Sequence, residues 1–152
     1  MINYWIFVIG NRRDGHELFE NKTKFNKVMK RNMVWGLGWR TPNVRRITNG
    51  DKGLFYLSGN GWQCIIGQFE ISSEAIKIET DNKQNTSPIL LYGAGYFVRL
   101  KKFRSFKRYV KIANIKNQLE LTKKSAFWGT VLQGGTRKIS EKDFNYILNI
   151  SR

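Results

Sequence analysis

Apolar and β-prone residues cluster in short runs that predict the strands of this chain. The run YWIFVI within residues 3–9 is apolar without alternation, which predicts a strand buried on both faces. Two further runs, GLFYLS at 53–58 and WQCIIGQFEI at 62–71, are joined by GNG, and this spacing predicts a β-hairpin. The segments GYFVRLKKF at 95–103 and VKI at 110–112 predict two more strands.

Apolar residues recur at helical spacing in two segments. Residues 23–31, TKFNKVMKR, place three apolar side chains on one face, and Thr23 is the predicted N-cap. Residues 140–150, SEKDFNYILNI, predict a terminal helix with Ser140 as its N-cap and acidic residues in its first turn.

The remaining segments give weaker patterns. We expect a short strand at 75–79, a short helix at 113–121, a loop or irregular strand at 33–40 and a partly irregular stretch at 127–135. The order β–α–β–β–β–(α)–β–α lacks regular βα alternation, which disfavours a parallel Rossmann-type sheet. We therefore predict an α+β, mainly β fold, a small bent β-barrel flanked by short helices, with residues 1–152 as a single domain.

Charge is the strongest compositional signal. The 152 residues carry 27 Lys and Arg against 11 Asp and Glu, a formal net charge of +16. A charge this large is an argument about partners: nucleic acid comes first, an anionic membrane surface second, and a lysine-rich proteome is the alternative without a partner. Aromatic residues make up 14% of the chain, and proteins that stack on bases while gripping phosphates combine both features. No apolar run approaches the roughly 20 residues of a membrane span, so we expect a cytoplasmic protein without membrane contact.

The sequence offers little for catalysis. His16 and Cys64 are the single histidine and cysteine, and we expect His16 to be solvated and Cys64 to be a buried small hydrophobe. The acidic residues are scattered, and no glycine-rich phosphate loop is present. We therefore expect neither enzymatic activity nor a metal or cofactor.

The stretch MVWGLGWR at 33–40 is the candidate binding element. Trp35 and Trp39 are costly aromatic side chains on a glycine-rich backbone beside several arginines. An indole stacks on any base face, and Gly36 allows the backbone to approach a base edge closely. The alternative is that both tryptophans fill the core, which we expect for Trp5; Trp128 is open between the core and the rim of a pocket.

The order of segments resembles the EVE domain, a PUA-like family related to the YTH domains. The resemblance rests on these segments, which span nearly the whole chain: YWIFVI, a short helix, VWGLGWR, GDKGLFYLSGNGWQCIIGQFEI, YFVRLKKF, FWGTVLQGGTRKI and SEKDFNYIL. The chain looks like a stand-alone prokaryotic member. It departs from the family pattern after Trp35 and in the longer loop NRRDGHELFENK.

The resemblance implies a bent barrel with a pocket for one flipped-out, often modified base. By position, Trp35 matches the pocket aromatic, Asn11 the polar end of the first strand, and Tyr56 and Ser58 the end of the next strand. With the residues that follow Trp35, the predicted base pocket comprises Asn11, Trp35, Gly36, Leu37, Trp39, Tyr56, Ser58 and Trp128.

Cations near these segments are candidates for phosphate binding, although a charge run is also typical of a solvated face. They are Arg12, Lys24, Lys27, Arg31, Arg40, Arg45, Arg46, Arg99, Lys101 and Arg104, with Lys102, Lys107 and Arg108 in the same run.

Three hypotheses follow from the sequence. The first is a non-enzymatic reader of a modified base in DNA or RNA, acting as a monomer. The second is a general RNA-binding PUA-like module for tRNA or rRNA without a modification preference. The third is an accessory protein that binds a small nucleobase-like ligand or another protein.

Overall fold

A curled β-sheet forms the frame of the molecule. A computed structural model of the chain describes residues 1–10, 16–59, 61–79, 91, 94–126, 128–132 and 135–152. The strands are β1 (Tyr4–Ile9), β2 (Val34–Gly38), β3 (Lys52–Leu57), β4 (Cys64–Ile71), β5 (Ile76–Lys77), β6 (Ala94–Lys111) and β7 (Thr136–Ile139). The helices are α1 (His16–Glu20), α2 (Lys22–Asn32), α3 (Trp128–Val131) and α4 (Glu141–Ile150).

The sheet topology confirms the predicted mainly β, PUA-like class. Within the described residues, six strands lie side by side in the order β2-β6-β4-β3-β1-β7, and β5 pairs with β6. β1 runs parallel to β3, with Ile9 opposite Leu57, and antiparallel to β7. The other pairs are antiparallel, and the sheet curls into a half-barrel.

Both faces of the sheet are covered, so the core consists of two clusters. The first cluster lies on the α1 and α2 side and includes Phe7, Phe25, Trp35, Phe55 and Phe103. The second cluster lies on the α4 side and includes Ile6, Leu54, Tyr56, Phe144 and Ile147. Consecutive residues of β1 alternate between the two clusters: Trp5, Ile6, Phe7 and Ile9 are fully buried, and Tyr4 and Val8 are partly buried against the second cluster. This confirms the prediction that the first strand is buried on both faces.

The two principal helices form where their patterns predicted them. α2 begins at Lys22, because the side chain of Asn21, not Thr23, accepts a hydrogen bond from Lys24 N and caps the helix. The predicted cap of α4 is confirmed: the Ser140 side chain accepts a hydrogen bond from Asp143 N at 3.1 Å.

Three segments differ from the sequence-based prediction. The strands expected at 95–103 and 110–112 are one strand, β6, bent by a bulge. The helix expected at 113–121 is replaced by a 3-10 turn at Ile112–Asn114 and further turns. The buried Asp143 carboxylate accepts hydrogen bonds from the N–H groups of Glu120 and Leu121, both at 2.9 Å, and holds this segment on α4.

The bulge in β6 lies at Lys102. Glu70 of β4 pairs with Lys101 and Gln68 pairs with Arg104, so two residues of β6 stand opposite the single residue between them. Lys102 has a φ of 53°, in the left-handed region. The extra residue lets Leu100 and Phe103 both enter the first cluster, while Lys101 and Lys102 remain exposed. No helix among the described residues has the length and apolar character to cross a membrane.

Candidate nucleic-acid interface

Several strand ends meet at one edge of the sheet. Because β1 and β3 are parallel, their carboxyl ends lie together, and both N and Oγ of Ser58 donate hydrogen bonds to Ile9 O, at 3.1 and 2.7 Å. The start of β7 joins them, since Val8 N donates to Gly135 O at 2.9 Å. Thr136 Oγ1 donates to Pro42 O, which attaches the turn after β2 to the same edge.

Trp39 is the exposed aromatic residue of this edge. It is 58% exposed, whereas Trp35 of β2 and Phe55 and Tyr56 of β3 are buried. Its ring meets the Tyr96 ring at 5.5 Å and an interplanar angle of 68°, and Lys77 Nζ lies 5.7 Å from the ring centroid. We call Trp39, Gly95, Tyr96 and Lys77 the Trp39 platform.

Gly95 explains how an exposed indole is held in place. A Cβ atom at position 95 would lie 2.2 Å from Cδ2 and 2.6 Å from Cε2 of Trp39, so the indole rests on the glycine backbone. Only glycine allows this close approach. One region of the indole is therefore fixed against β6, and the rest remains accessible for stacking.

Trp35 lies in the core. It is 1% exposed, and its ring packs against Phe19 at 5.7 Å and Phe55 at 4.9 Å. The segment is a strand with a bulge between Leu37 and Gly38, which confirms the irregular-strand alternative. Its burial agrees with the alternative in which this tryptophan fills the core, because β2 pairs with β6 and turns the side chain into the first cluster.

The other predicted pocket residues are distributed over both faces. Gly36 and Leu37 are buried, with Leu37 in the first cluster. Tyr56 belongs to the second cluster, and Trp128 of α3 is partly buried against it, so neither shares a face with Trp35. Burial raises the pKa of Tyr56 to about 12.

The last two predicted pocket residues are Ser58 and Asn11. Ser58 is at the edge described above, and Asn11 lies outside the described residues. Their roles in base binding stay predictions.

The predicted phosphate-binding cations are exposed in three groups, and Arg12 lies outside the described residues. The first group is on α2: Lys24, Lys27 and Arg31. The second follows the platform in sequence: Arg40, Arg45 and Arg46. The third is on β6: Arg99, Lys101 and Arg104.

Gly95, Tyr96 and Lys77 are platform residues that were not predicted from the sequence. Their association with Trp39 depends on the register of β2 and β5 against β6, in which Gly38 pairs with Ala94 and Lys77 with Tyr96. The available signal is local: GAGYF places two glycines just before an aromatic residue at the start of a strand, typical of close backbone approach.

The buried titratable side chains Asp51 and Cys64 contribute to hydrogen bonding and packing in the interior. Both carboxylate oxygens of the buried Asp51 accept hydrogen bonds, from Trp5, Asn3 and Thr48. Burial raises the pKa of the Cys64 thiol to about 11, although the charge of Lys111 opposes this. Among the described residues, no group of three or more His, Cys, Asp or Glu side chains could hold a metal ion.

Comparison with known proteins gives one family. The model of the EVE domain matches residues 3–150. No curated protein matches the sequence.

Solved structures share the fold at low sequence identity. Rpa0253 of Rhodopseudomonas palustris is 17% identical, with 99% of this chain and 93% of that chain covered and a TM-score of 0.65. Human THYN1, in complex with DNA containing 5-methylcytosine, is 16% identical, with 99% and 98% covered and a TM-score of 0.64. The YTH domain-containing protein mmi1, in complex with RNA, is 10% identical, with 97% and 80% covered and a TM-score of 0.55.

Proposed function

The chain belongs to the EVE domain family, and from this premise we propose that it is a non-enzymatic nucleic-acid-binding module that reads one flipped-out, modified base. The observation that carries the proposal is the Trp39 platform, an exposed indole held on a glycine with the Lys77 ammonium 5.7 Å from its ring centroid. The DNA and RNA bound to the fold neighbours THYN1 and mmi1 support a nucleic-acid partner.

In this proposal Trp39, and not Trp35, is the stacking residue. A base stacked on the accessible part of the indole gains about 1–3 kcal/mol. Lys77 Nζ lies 5.7 Å from the indole centroid and the exposed Arg40 follows Trp39 in sequence, and both supply positive charge for the adjacent phosphates. Trp35 supports the platform indirectly. Its buried side chain anchors β2 on the core, and β2 ends immediately before Trp39.

The arrangement of acidic residues supports a binding role over a catalytic one. Asp51 is committed to hydrogen bonds in the interior, and Glu70 lies beside Lys101 and Lys102 at 3.9 and 3.8 Å. We expect no cleavage of plasmid, tRNA or modified oligonucleotides with magnesium, manganese or zinc. A metal-dependent activity that copurifies with the chain and disappears in Asp51→Asn or Glu70→Gln would contradict this proposal.

The test is a titration of labelled oligonucleotides that differ in a single base. We expect DNA with one 5-methylcytosine, or RNA with one modified base, to bind more tightly than its unmodified counterpart by about fourfold for each buried methyl group. Trp39→Ala should weaken binding about 5- to 150-fold, while Trp39→Phe should retain part of the affinity. If about 3–5 phosphates are contacted, log affinity should fall with log salt with a slope of about −2 to −4.

The exposure of Trp39 favours a second candidate function, a general RNA-binding module without a modification preference. An indole that is 58% exposed can stack any base without enclosing a modification. Equal affinities for modified and unmodified oligonucleotides, still dependent on Trp39, would establish this candidate and refute the reader. If no oligonucleotide binds at about 50 mM salt, both candidates fail and a small-ligand or protein-binding role remains.

A further inference from the structure

A cavity of about 750 Å³ lies on the opposite side of the sheet from the first cluster. Its floor is the outer face of β3, β4 and β6, and its wall is α4 with the residues that follow it. Tyr4 and Phe144 line it, with ring centroids 4.9 Å apart. No residue of the Trp39 platform contributes to it, so this cavity is separate from the proposed base site.

Positive charge dominates this cavity, which we call the basic groove. Its lining contains five cationic side chains, Lys52, Lys102, Arg104, Lys107 and Arg152, against the carboxylates of Glu70 and Glu141. Glu70 is shared between Lys101 and Lys102. In the described part of the chain, no ion pair involves Lys52, Arg104 or Lys107. Three of the five cations of the groove are therefore not in an ion pair with any carboxylate of the described residues.

The bulge in β6 places Lys102, one of these cations. Because of the extra residue, the Lys102 side chain stays outside, although Leu100 before it and Phe103 after it both point into the core. Lys102 adopts a φ of 53°, which an L-residue other than glycine rarely adopts. A strained backbone that directs a charged side chain into a groove is typical of a functional position.

We propose that the basic groove binds the phosphodiester backbone of the nucleic acid whose base stacks on Trp39. This inference rests on the proposed function and adds a second contact to it. From Tyr96 to Arg104, β6 extends about 25 Å, so one strand of nucleic acid must span several nucleotides to contact both the platform and the groove. The exposed Arg99 and Lys101 lie between these residues on the same strand and provide intermediate contacts.

The distribution of the cations favours a polymer over a single anion. Lys52 is on β3, Lys107 is on β6 beyond the bulge, and Arg152 follows α4, so the charges are spread along the groove. A chain of phosphates can contact several of them at once, whereas one small anion can contact few. Releasing counterions at each contact also makes such binding strongly dependent on salt.

The experiment compares short and long single-stranded oligonucleotides on one double variant. Lys102→Gly with Arg104→Gln removes two charges, and glycine suits the backbone conformation at position 102. The control is Lys123→Gln with Lys124→Gln, which removes two exposed charges that do not line the groove. Oligonucleotides of about 4 and about 16 nucleotides are titrated across a salt series, and thermal melts verify folding.

We expect a loss confined to the long oligonucleotide. Losing two phosphate contacts should flatten its salt slope by about 1.4 and weaken its binding about 25-fold at about 0.1 M salt. The short oligonucleotide and the control variant should bind as the unmodified protein does.

Other outcomes separate the two proposals. If the long oligonucleotide binds the double variant and the unmodified protein equally, only the groove proposal fails. If neither oligonucleotide binds at about 50 mM salt, the proposed function fails and the groove proposal with it. If inorganic phosphate binds the unmodified protein more tightly than the double variant, and the long oligonucleotide binds no more tightly than the short one, the groove is a small-anion site. The backbone proposal is then wrong.

Discussion

Nε1 of Trp5 donates a hydrogen bond to Oδ2 of Asp51 across 2.8 Å, and both side chains are buried. The same carboxylate accepts hydrogen bonds from Asn3 N and Thr48 N, each at 3.0 Å, and from Thr48 Oγ1. Asp51 therefore joins the start of β1 to the turn before β3. These two strands are parallel, and their far ends carry the candidate interface.

Removing this carboxylate should destabilise the whole fold. Hydrogen bonds to a charged group contribute about 1.5–3 kcal/mol each, so Asp51→Ala should lower the free energy of unfolding by at least about 3 kcal/mol. Urea denaturation measures the loss, and Glu79→Gln, an exposed acidic position, is the control. A loss below about 1 kcal/mol would mean that the network contributes little.

Trp35→Ala should act on stability. Truncating a tryptophan packed between Phe19 and Phe55 should cost about 3–5 kcal/mol of unfolding free energy. Trp39→Ala, at an exposed site, should change it by about 0.5 kcal/mol. Paired thermal melts of the two variants measure the difference, and equal melting temperatures would contradict the burial described for Trp35.

Gly95→Ala should disable the platform without removing an aromatic side chain. The new Cβ would lie 2.2 Å from the indole of Trp39, which must move away. Oligonucleotide affinity should fall toward that of Trp39→Ala, about 5- to 150-fold. Gly129→Ala, where a Cβ meets nothing within 4 Å, is the matched control. Unchanged binding by Gly95→Ala would show that the position of the indole is not needed.

Lys102→Gly and Lys101→Gly should change stability in opposite directions. Both lysines lie within 4 Å of the Glu70 carboxylate, at 3.8 and 3.9 Å, so the lost ion pair is matched. Glycine removes the cost of about 1–2 kcal/mol of a left-handed conformation at 102, so stability should rise by up to about 1 kcal/mol. At 101, within the strand, glycine should cost about 0.5–1 kcal/mol. Chemical denaturation of both variants gives the two signs, and a loss of stability in both would contradict the strain at 102.

Stability should fall in alkaline solution through Cys64 and Tyr56. Burial raises the pKa of Cys64 from 9.0 to about 11 and that of Tyr56 from 10.0 to about 12. Below pH 9 both groups are protonated in the folded and unfolded states, so they give no pH dependence. As the pH rises, the unfolded state loses these protons first, and folding becomes less favourable between about pH 9 and 12. Denaturation at several pH values should show a shallower decline for Cys64→Ala, and identical profiles would refute this assignment.

Local patterns predicted the elements whose residues satisfy local rules. Ser140 capped α4 as expected, and the run in β1 was buried on both sides. The hairpin of β3 and β4 formed close to its predicted limits. These elements depend on hydrogen bonds and burial patterns that are encoded within a few neighbouring residues.

The candidate site was predicted in part, because its contacts are set by strand register. The stretch MVWGLGWR was identified from the sequence, but nothing in it favours Trp39 over Trp35. Each tryptophan has one glycine as a direct neighbour, and the two lie in the same short segment. Pairing of Gly38 with Ala94 puts Trp39 on Gly95, and this contact joins residues far apart in sequence. The bulge at Lys102 was equally hidden, as no local signal marks a left-handed lysine.

The place of β1 in the sheet has a consequence for how the protein is made. β3, on one side of β1, is synthesised early, but β7, on the other side, comes about 80 residues later, which takes about 4–16 s at 5–20 residues per second. During that interval the nascent chain presents one unpaired edge of β1, rich in aromatic and β-branched residues. Ribosome stalling or truncation before Thr136 should therefore leave a species prone to edge-to-edge aggregation, in which another chain takes the position of β7.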